Sequence, residues 1–302
     1  MILNDIEKFS QNLNGKLIFN YDLKKTNWFN IGGKTRIFFK PETLKELIDF
    51  LKIYNKRSKI FILGAGSNVL FSDEIFEGVV IKLGKNFNKI SKLNHNTIIA
   101  GSNVLDKSVS EFAKENQIGG LEFLSCIPGS IGGGIRMNAG CYDREFKDIL
   151  ISVQAIDFNG KIFTIPFEKN NFFYRGTTLS KDFIFLSASL KGKETNKEII
   201  ENKIKTLKNK KELAQPSKIK TSGSTFKNPI GQTEIKVWEL IKQSVPINTN
   251  FGDAAISDHH ANFFVNKNNA KSKDMKDLIQ YVQKKVKKKF NIKIETEIVV
   301  VD

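Results

Sequence analysis

Two glycine-rich segments are the residues best suited to holding a ligand. They are Gly64-Ala65-Gly66-Ser67-Asn68 and Ile127-Pro128-Gly129-Ser130-Ile131-Gly132-Gly133-Gly134. Glycines admit positive φ and let backbone N–H groups come close, so consecutive N–H groups can nest an anion such as a pyrophosphate. Two familiar nucleotide motifs fail here. The first segment follows the apolar run 59–63, as a Rossmann turn would. Val69, however, holds the third glycine position, and Leu70-Phe71-Ser72-Asp73 has no helical pattern. Gly32-Gly33-Lys34-Thr35 resembles the end of a P-loop, but Trp28 stands where its first glycine belongs. Both segments are therefore expected to hold a pyrophosphate without a helix dipole. A tight turn with no ligand explains one such segment; two in one chain favour a ligand.

The elements around them alternate in type. Strands are expected at 35–40, 59–63, 79–83 and 97–100, with helices over 43–54 and 104–116. Strands at 151–156 and 161–165 flank Asp157-Phe158-Asn159-Gly160, a hairpin signal, and another strand covers 183–190. A lysine-rich helix over 196–213 marks a boundary. Beyond it lie helices at 237–243 and 272–290 and strands at 261–265 and 294–301. The expected division is 1–85, 86–195 and 196–302, the last with a returning C-terminal strand.

The 302 residues carry 48 basic and 32 acidic side chains, a formal charge of +16. That balance suggests nucleic acid or an anionic surface. Only five of the basic residues are arginines: Arg36, Arg57, Arg136, Arg144 and Arg175. The lysines are scattered, apart from Lys284-Lys285-Val286-Lys287-Lys288-Lys289, and read as a solvated face within a chain-wide lysine bias. No stretch approaches a membrane span, and the N-terminus shows no basic-then-apolar leader. Cys126 and Cys141 make neither a disulfide framework nor a metal knot, which fits a reducing compartment. His95 stands alone. His259 and His260 are adjacent and would point to opposite faces of a strand, so no metal is expected.

Taken in order, several segments resemble the UDP-N-acetylenolpyruvoylglucosamine reductase family. They are Asn30-Ile31-Gly32-Gly33, the run 64–70, Gly120-Leu121-Glu122-Phe123-Leu124 and the run 127–140. Phe173-Tyr174-Arg175, Ser222-Gly223-Ser224-Thr225-Phe226-Lys227-Asn228-Pro229 and the run 257–266 complete the set. The resemblance covers nearly the whole chain. It implies an α+β fold: a two-lobed FAD-binding domain of the vanillyl-alcohol-oxidase (PCMH) type plus a smaller α+β substrate-binding lobe. It also implies non-covalent FAD, with NADPH as co-substrate. Hydride passes from NADPH to FAD, and then to the enolpyruvyl double bond of a UDP-sugar, giving UDP-N-acetylmuramate. The setting is peptidoglycan precursor synthesis, and so cell-wall biogenesis, cell shape and division, in a cytoplasmic monomer that neither binds nucleic acid nor enters the membrane.

The same resemblance assigns residues. FAD would lie against Gly64, Ala65, Gly66, Ser67, Asn68, Ile127, Pro128, Gly129, Ser130, Gly133, Asn138 and Gly140. Hydride arriving at the terminal carbon builds enolate charge on the adjacent carbon and its carboxylate, so a cation and an acid are needed. Arg175 matches the residue that holds the carboxylate, a bidentate task that suits guanidinium. Ser224 matches the proton donor, and Lys227 is a candidate to stabilise its alkoxide. Tyr174, Lys227 and Asn228 would contact substrate. Glu297 matches the glutamate that polarises the reacting centre; strand alternation places Glu295 on the same face, so only the match selects Glu297.

Cys126 departs from the family by replacing a glycine; His259 stands where a charged or polar residue is usual, and the run 244–250 lacks the glycine-rich character expected there. The short path from Arg175 to Leu190 resembles the subtype without a substrate-capping insertion, so no tyrosine lid is expected. Two other readings compete. A sugar or alcohol oxidase of the same fold would often tether FAD through a histidine in the first lobe, where none precedes His95. A nucleic-acid-binding protein rests on charge alone.

Overall fold

The computed structural model describes residues 2–216 and 219–302. The chain forms two compact units. One comprises Met1–Phe19, Ile37–Ala65 and Glu77–Lys210; the other comprises Asn20–Arg36, Gly66–Phe76 and Lys211–Asp302.

The first unit holds a four-stranded and a five-stranded sheet. One has the strand order Lys16–Asp22, Lys34–Lys40, Phe76–Ile81, Lys59–Ile62, and its last pair is parallel. The helix Leu44–Tyr54 opens on a capping box. Thr43 Oγ1 accepts from Glu46 N, and the Glu46 carboxylate accepts from the backbone of Asn14, Gly15, Glu42 and Thr43. Burial raises the Glu46 pKa, but those four N–H groups outweigh it and hold the carboxyl below its ordinary value. The helix buries Leu47, Phe50 and Leu51 with Phe39, Val79 and Ile81 in one apolar cluster.

The other sheet is antiparallel, in the order Ile162–Pro166, Leu150–Ile156, Ile184–Lys191, Thr97–Gly101, Ile90–Asn94. Its hairpin turns where Gly160 stands at φ 86°. A second cluster, with Val109, Phe123, Leu124, Ile131 and Phe146, covers it.

The second unit has one core, in which Phe29, Leu70, Phe226, Leu240, Phe264 and Leu278 are all buried. Strands Asn250–Phe251, Ala254–Ile256 and Phe264–Asn266 form a small sheet, and Val299–Val301 pairs in parallel with Val69–Phe71. The helix Ser272–Phe290 buries Met275, Leu278, Ile279, Val282 and Val286. The lysine run on it is exposed around the buried Val286, a solvated face as expected.

Three expectations change. The second glycine segment contains a helix, Ile131–Arg136, where a helix-free loop was expected. Three glycines disfavour helix, but packing overrides propensity. Ile131 and Ile135 are buried, and a Cβ on Gly134 would stand 2.2 Å from Phe146 Cε2. Only Val299–Val301 of the expected strand 294–301 pairs regularly; Thr296 makes a single bridge to Phe226, and the chain bends at 297–298. The strand expected at 261–265 starts at Phe264, so His259 and His260 lie in the preceding turn and not on a strand.

Candidate active site

Ser130 of the second glycine segment lies against Gly64 of the first. A Cβ on Gly64 would stand 2.7 Å from Ser130 Oγ, and one on Gly133 would stand 3.6 Å from it. Among the described residues nothing hydrogen-bonds that buried hydroxyl. Burying a polar group without a partner is costly, so an unengaged hydroxyl between two glycines fits an anion-bearing ligand such as a dinucleotide. Lys82 Nζ donates to Gly64 O at 2.9 Å. Burial, then repulsion from Lys40, lowers its pKa. Sequence reading did not single out Lys82, since a lone lysine ending a strand carries no local signal. The loop 64–68 runs from one unit to the other. In the second unit Gly66, at φ 71°, accepts from Trp28 N, and Asn68 Nδ2 donates to Glu297 O at 3.0 Å.

The loop before the short helix is set by pairing. Asp106 N donates to Gly129 O and Ile131 N to Val104 O, placing Ser130 opposite Leu105. The Asp106 carboxyl is fully buried, and neither oxygen has a partner among the described residues. Burial drives its pKa well above the ordinary carboxylate value. At the other end of the helix, Arg136 donates to the carbonyls of Leu179, Ser180 and Phe183 and stacks 4.3 Å from the Phe185 ring centre. Burial lowers its pKa to about 10.

Arg175 and Tyr174 form the two-residue turn between Phe172–Phe173 and Gly176–Thr177. Arg175 stands at φ 55°, a left-handed conformation unusual for a side chain of its size. Its Nη2 donates to Gly140 O at 3.0 Å, and its guanidinium lies over the Tyr174 ring. Glu145 Oε1 is 3.8 Å from Nη1. Asn138 ties this group together: Nδ2 donates to Glu145 Oε2 and Phe173 O, and Oδ1 accepts from Lys147 N. The whole Asn138 amide is engaged within the protein, and the residue is fully buried at φ 41°. Glu145, absent from the sequence-derived set, takes its importance only from this arrangement.

In the second unit, residues 224–226 run between two others. Ser224 bridges Phe263, Thr225 N donates to Asn262 O, and Glu297 N donates to Thr225 O. The Ser224 backbone is thereby fixed while its side chain stays half-exposed, with no hydrogen bond from the described residues. Lys227 Nζ lies 3.8 Å from Glu295 Oε2, and Lys227 N donates to Glu295 O. Glu295 is exposed and pairs with Lys227, whereas Glu297 is half-buried and tied by backbone bonds to Asn68 and Thr225. Asn228 Oδ1 accepts from Val237 N at the start of the helix Val237–Ser244. An open pocket of about 490 Å³, lined by Phe123, Tyr142, Arg144, Asn202, Lys203 and Thr206 among others, contains none of the sequence-derived site residues. Among the described residues, no group of three His, Cys, Asp or Glu side chains could hold a metal, and no helix is long and apolar enough to cross a membrane.

Residues 35–166 match the FAD binding domain family, and residues 215–301 match the UDP-N-acetylenolpyruvoylglucosamine reductase C-terminal domain. The reductase of that name from Pelagibacter ubique is 60% identical over 298 residues, 99% of each chain. The chain belongs to the UDP-N-acetylenolpyruvoylglucosamine reductase family. Another reductase of the family, from Rickettsia bellii, is 43% identical over 92% of this chain and 91% of its own. The crystal structure of the Thermus caldophilus reductase superposes with a TM-score of 0.81 at 29% identity, covering 96% of this chain and 100% of that one. The fold is thus the expected α+β type with a FAD-binding domain, and the chain is an oxidoreductase that uses FAD.

Proposed function

We propose that this chain reduces the enolpyruvyl group of UDP-N-acetyl-3-O-(1-carboxyvinyl)-glucosamine to UDP-N-acetylmuramate, using NADPH, as a cytoplasmic monomer. The observation that carries the reading is the pairing of an unengaged Ser130 hydroxyl between Gly64 and Gly133 with family membership over the whole chain. Residues 64–68, Ile127, Pro128, Gly129, Ser130 and Gly133 would hold FAD, which when bound supplies the hydride. Asn138 and Gly140 serve it indirectly, through the Arg175 turn they fix. In the three-part division, residues 1–85 and 86–195 bind the flavin and 196–302 the substrate.

Each chemical residue has a task. Arg175, with Tyr174 beside it and its guanidinium anchored on the Gly140 carbonyl, holds the substrate carboxylate as enolate charge grows. Hydride adds to the terminal carbon, and Ser224 gives a proton to the adjacent carbon, recovering one from solvent. Lys227 and Asn228 contact substrate, and Lys227 offsets the transient alkoxide. Glu297 polarises the reacting centre; its backbone bonds to Thr225 and Asn68 hold it in register with the Ser224 segment.

Purified protein is expected to be yellow, with a flavin spectrum that NADPH bleaches and the enolpyruvyl UDP-sugar restores. Ser224→Ala should keep the bleaching and lose the restoration. A colourless protein that cannot be reconstituted with FAD, or a Ser224→Ala variant that performs both half-reactions, overturns the respective part.

A further inference from the structure

We infer that Asn262 is a positioning residue for the proton-transfer step, acting through the backbone that carries Ser224; this rests on Ser224 as proton donor. Asn262 is buried, at 3% exposure, in the turn before Phe264–Asn266. Its Oδ1 accepts from Phe226 N at 3.0 Å, and its Nδ2 donates to Phe226 O at 2.9 Å. Its main-chain oxygen accepts from Thr225 N at 2.8 Å. One residue therefore supplies three bonds to the segment next to Ser224, and its side-chain amide copies the donor–acceptor pair of a neighbouring strand. The need for such a device is visible in the pairing. Among the described residues, Ser224 and Phe226 make only isolated bridges, to Phe263 and Thr296, so no regular ladder holds this segment.

The arrangement matters because Gly223 stands at φ 75° with open space around it. A glycine hinge directly before the acid would let the hydroxyl wander unless the other side were clamped, and a misplaced acid loses proton-transfer rate before it loses binding. Asn262 is itself held. Its N–H donates to His260 Nδ1 at 3.1 Å, which puts the neutral ring proton on Nε2, and His260 packs edge-on against Phe263.

The test compares wild type, Asn262→Ala, Ser224→Ala and the double variant as holoenzymes. Reoxidation of the NADPH-reduced flavin by saturating enolpyruvyl UDP-sugar is followed in a single turnover, with flavin reduction and urea midpoint measured alongside. Asn262→Ala should slow reoxidation by roughly tenfold or more and leave reduction by NADPH unchanged. It should add almost nothing in the Ser224→Ala background, because both changes act on one step. Amide exchange at Phe226 should speed up. As pH falls, Asn262→Asp should recover rate relative to the wild-type pH profile, which carries any contribution from the neighbouring His260. A neutral carboxyl restores both bonds to Phe226, and a buried one protonates readily.

Additive effects of the two substitutions, equal slowing of both half-reactions, or a fully active Asn262→Ala would each overturn the inference. If Asn262→Ala does not fold, the Asn262→Asp profile decides, and a profile parallel to wild type overturns it. A Ser224→Ala variant that reoxidises at the wild-type rate removes the proton-donor reading and this inference together. A slow Ser224→Ala beside a fast Asn262→Ala removes this inference alone.

Discussion

Arg175 donates to the carbonyl of Gly140 at 3.0 Å while its own backbone stands at φ 55°. A non-glycine residue in that region costs on the order of 1 kcal/mol, so the hairpin holds the guanidinium against a local preference. The bonds of Asn138 to Phe173 O and Glu145 sustain it. The geometry suits a cation that must be fixed before substrate arrives.

Arg175→Lys should therefore leave flavin content and reduction by NADPH intact and lower kcat/KM for the enolpyruvyl substrate by about 10–100-fold, since ammonium cannot bond Gly140 and present a flat pair of donors together. Arg175→Gly should lose as much activity or more while its urea midpoint holds or rises through relief of the strained φ. Steady-state kinetics and urea titration read both outcomes.

The glycines of the short helix should separate packing from binding. On Gly134 a Cβ meets the Phe146 ring at 2.2 Å, so Gly134→Ala should cost about 1–3 kcal/mol of stability. On Gly133 the nearest atom is Ser130 Oγ at 3.6 Å, so Gly133→Ala should fold normally. Its effect should appear in FAD affinity, measured by flavin fluorescence on dilution.

Asp106 should make stability fall as pH rises. Burial raises its folded-state pKa, so the native state binds a proton that the unfolded chain releases near the ordinary carboxylate value. Between those two pKa values each rise in pH favours unfolding. Asp106→Asn, neutral at every pH, should show a higher urea midpoint than wild type at pH 8, and the gap should close toward pH 4.

Asn138→Ala removes partners from Glu145, Phe173 O and Lys147 N in a fully buried position. A loss of about 2–4 kcal/mol is expected from buried groups left unpaired. Hydrogen exchange should rise first in the hairpin 172–177, and turnover should fall more than FAD content.

Much of this was legible in the chain. The helix over 43–54, the hairpin at Asp157 and Gly160, and the helix over 272–290 depend on neighbours a few residues away, and local sequence states them. The ordered motifs around Gly64, Ser130, Arg175 and Ser224 named the family for the same reason. Other features were out of reach because their cause is distant. Ile131–Arg136 becomes helical despite three glycines because Phe146 fills the space that Gly134 leaves. Lys82 lies at Gly64 through the parallel pairing of 59–62 with 78–81.

Glu297 shows the division most plainly. Spacing alone left Glu295 and Glu297 equivalent, since alternation along an extended chain puts both on one face. The bend at 297–298 and the exposed pairing of Glu295 with Lys227 separate them in the fold. By itself the sequence determined the family, the local elements and the candidate residues, because those follow from short-range pattern. Which amides are engaged, which hydroxyls are left unbonded and which backbone holds Ser224 were decided only by tertiary structure, since each depends on a partner tens of residues away.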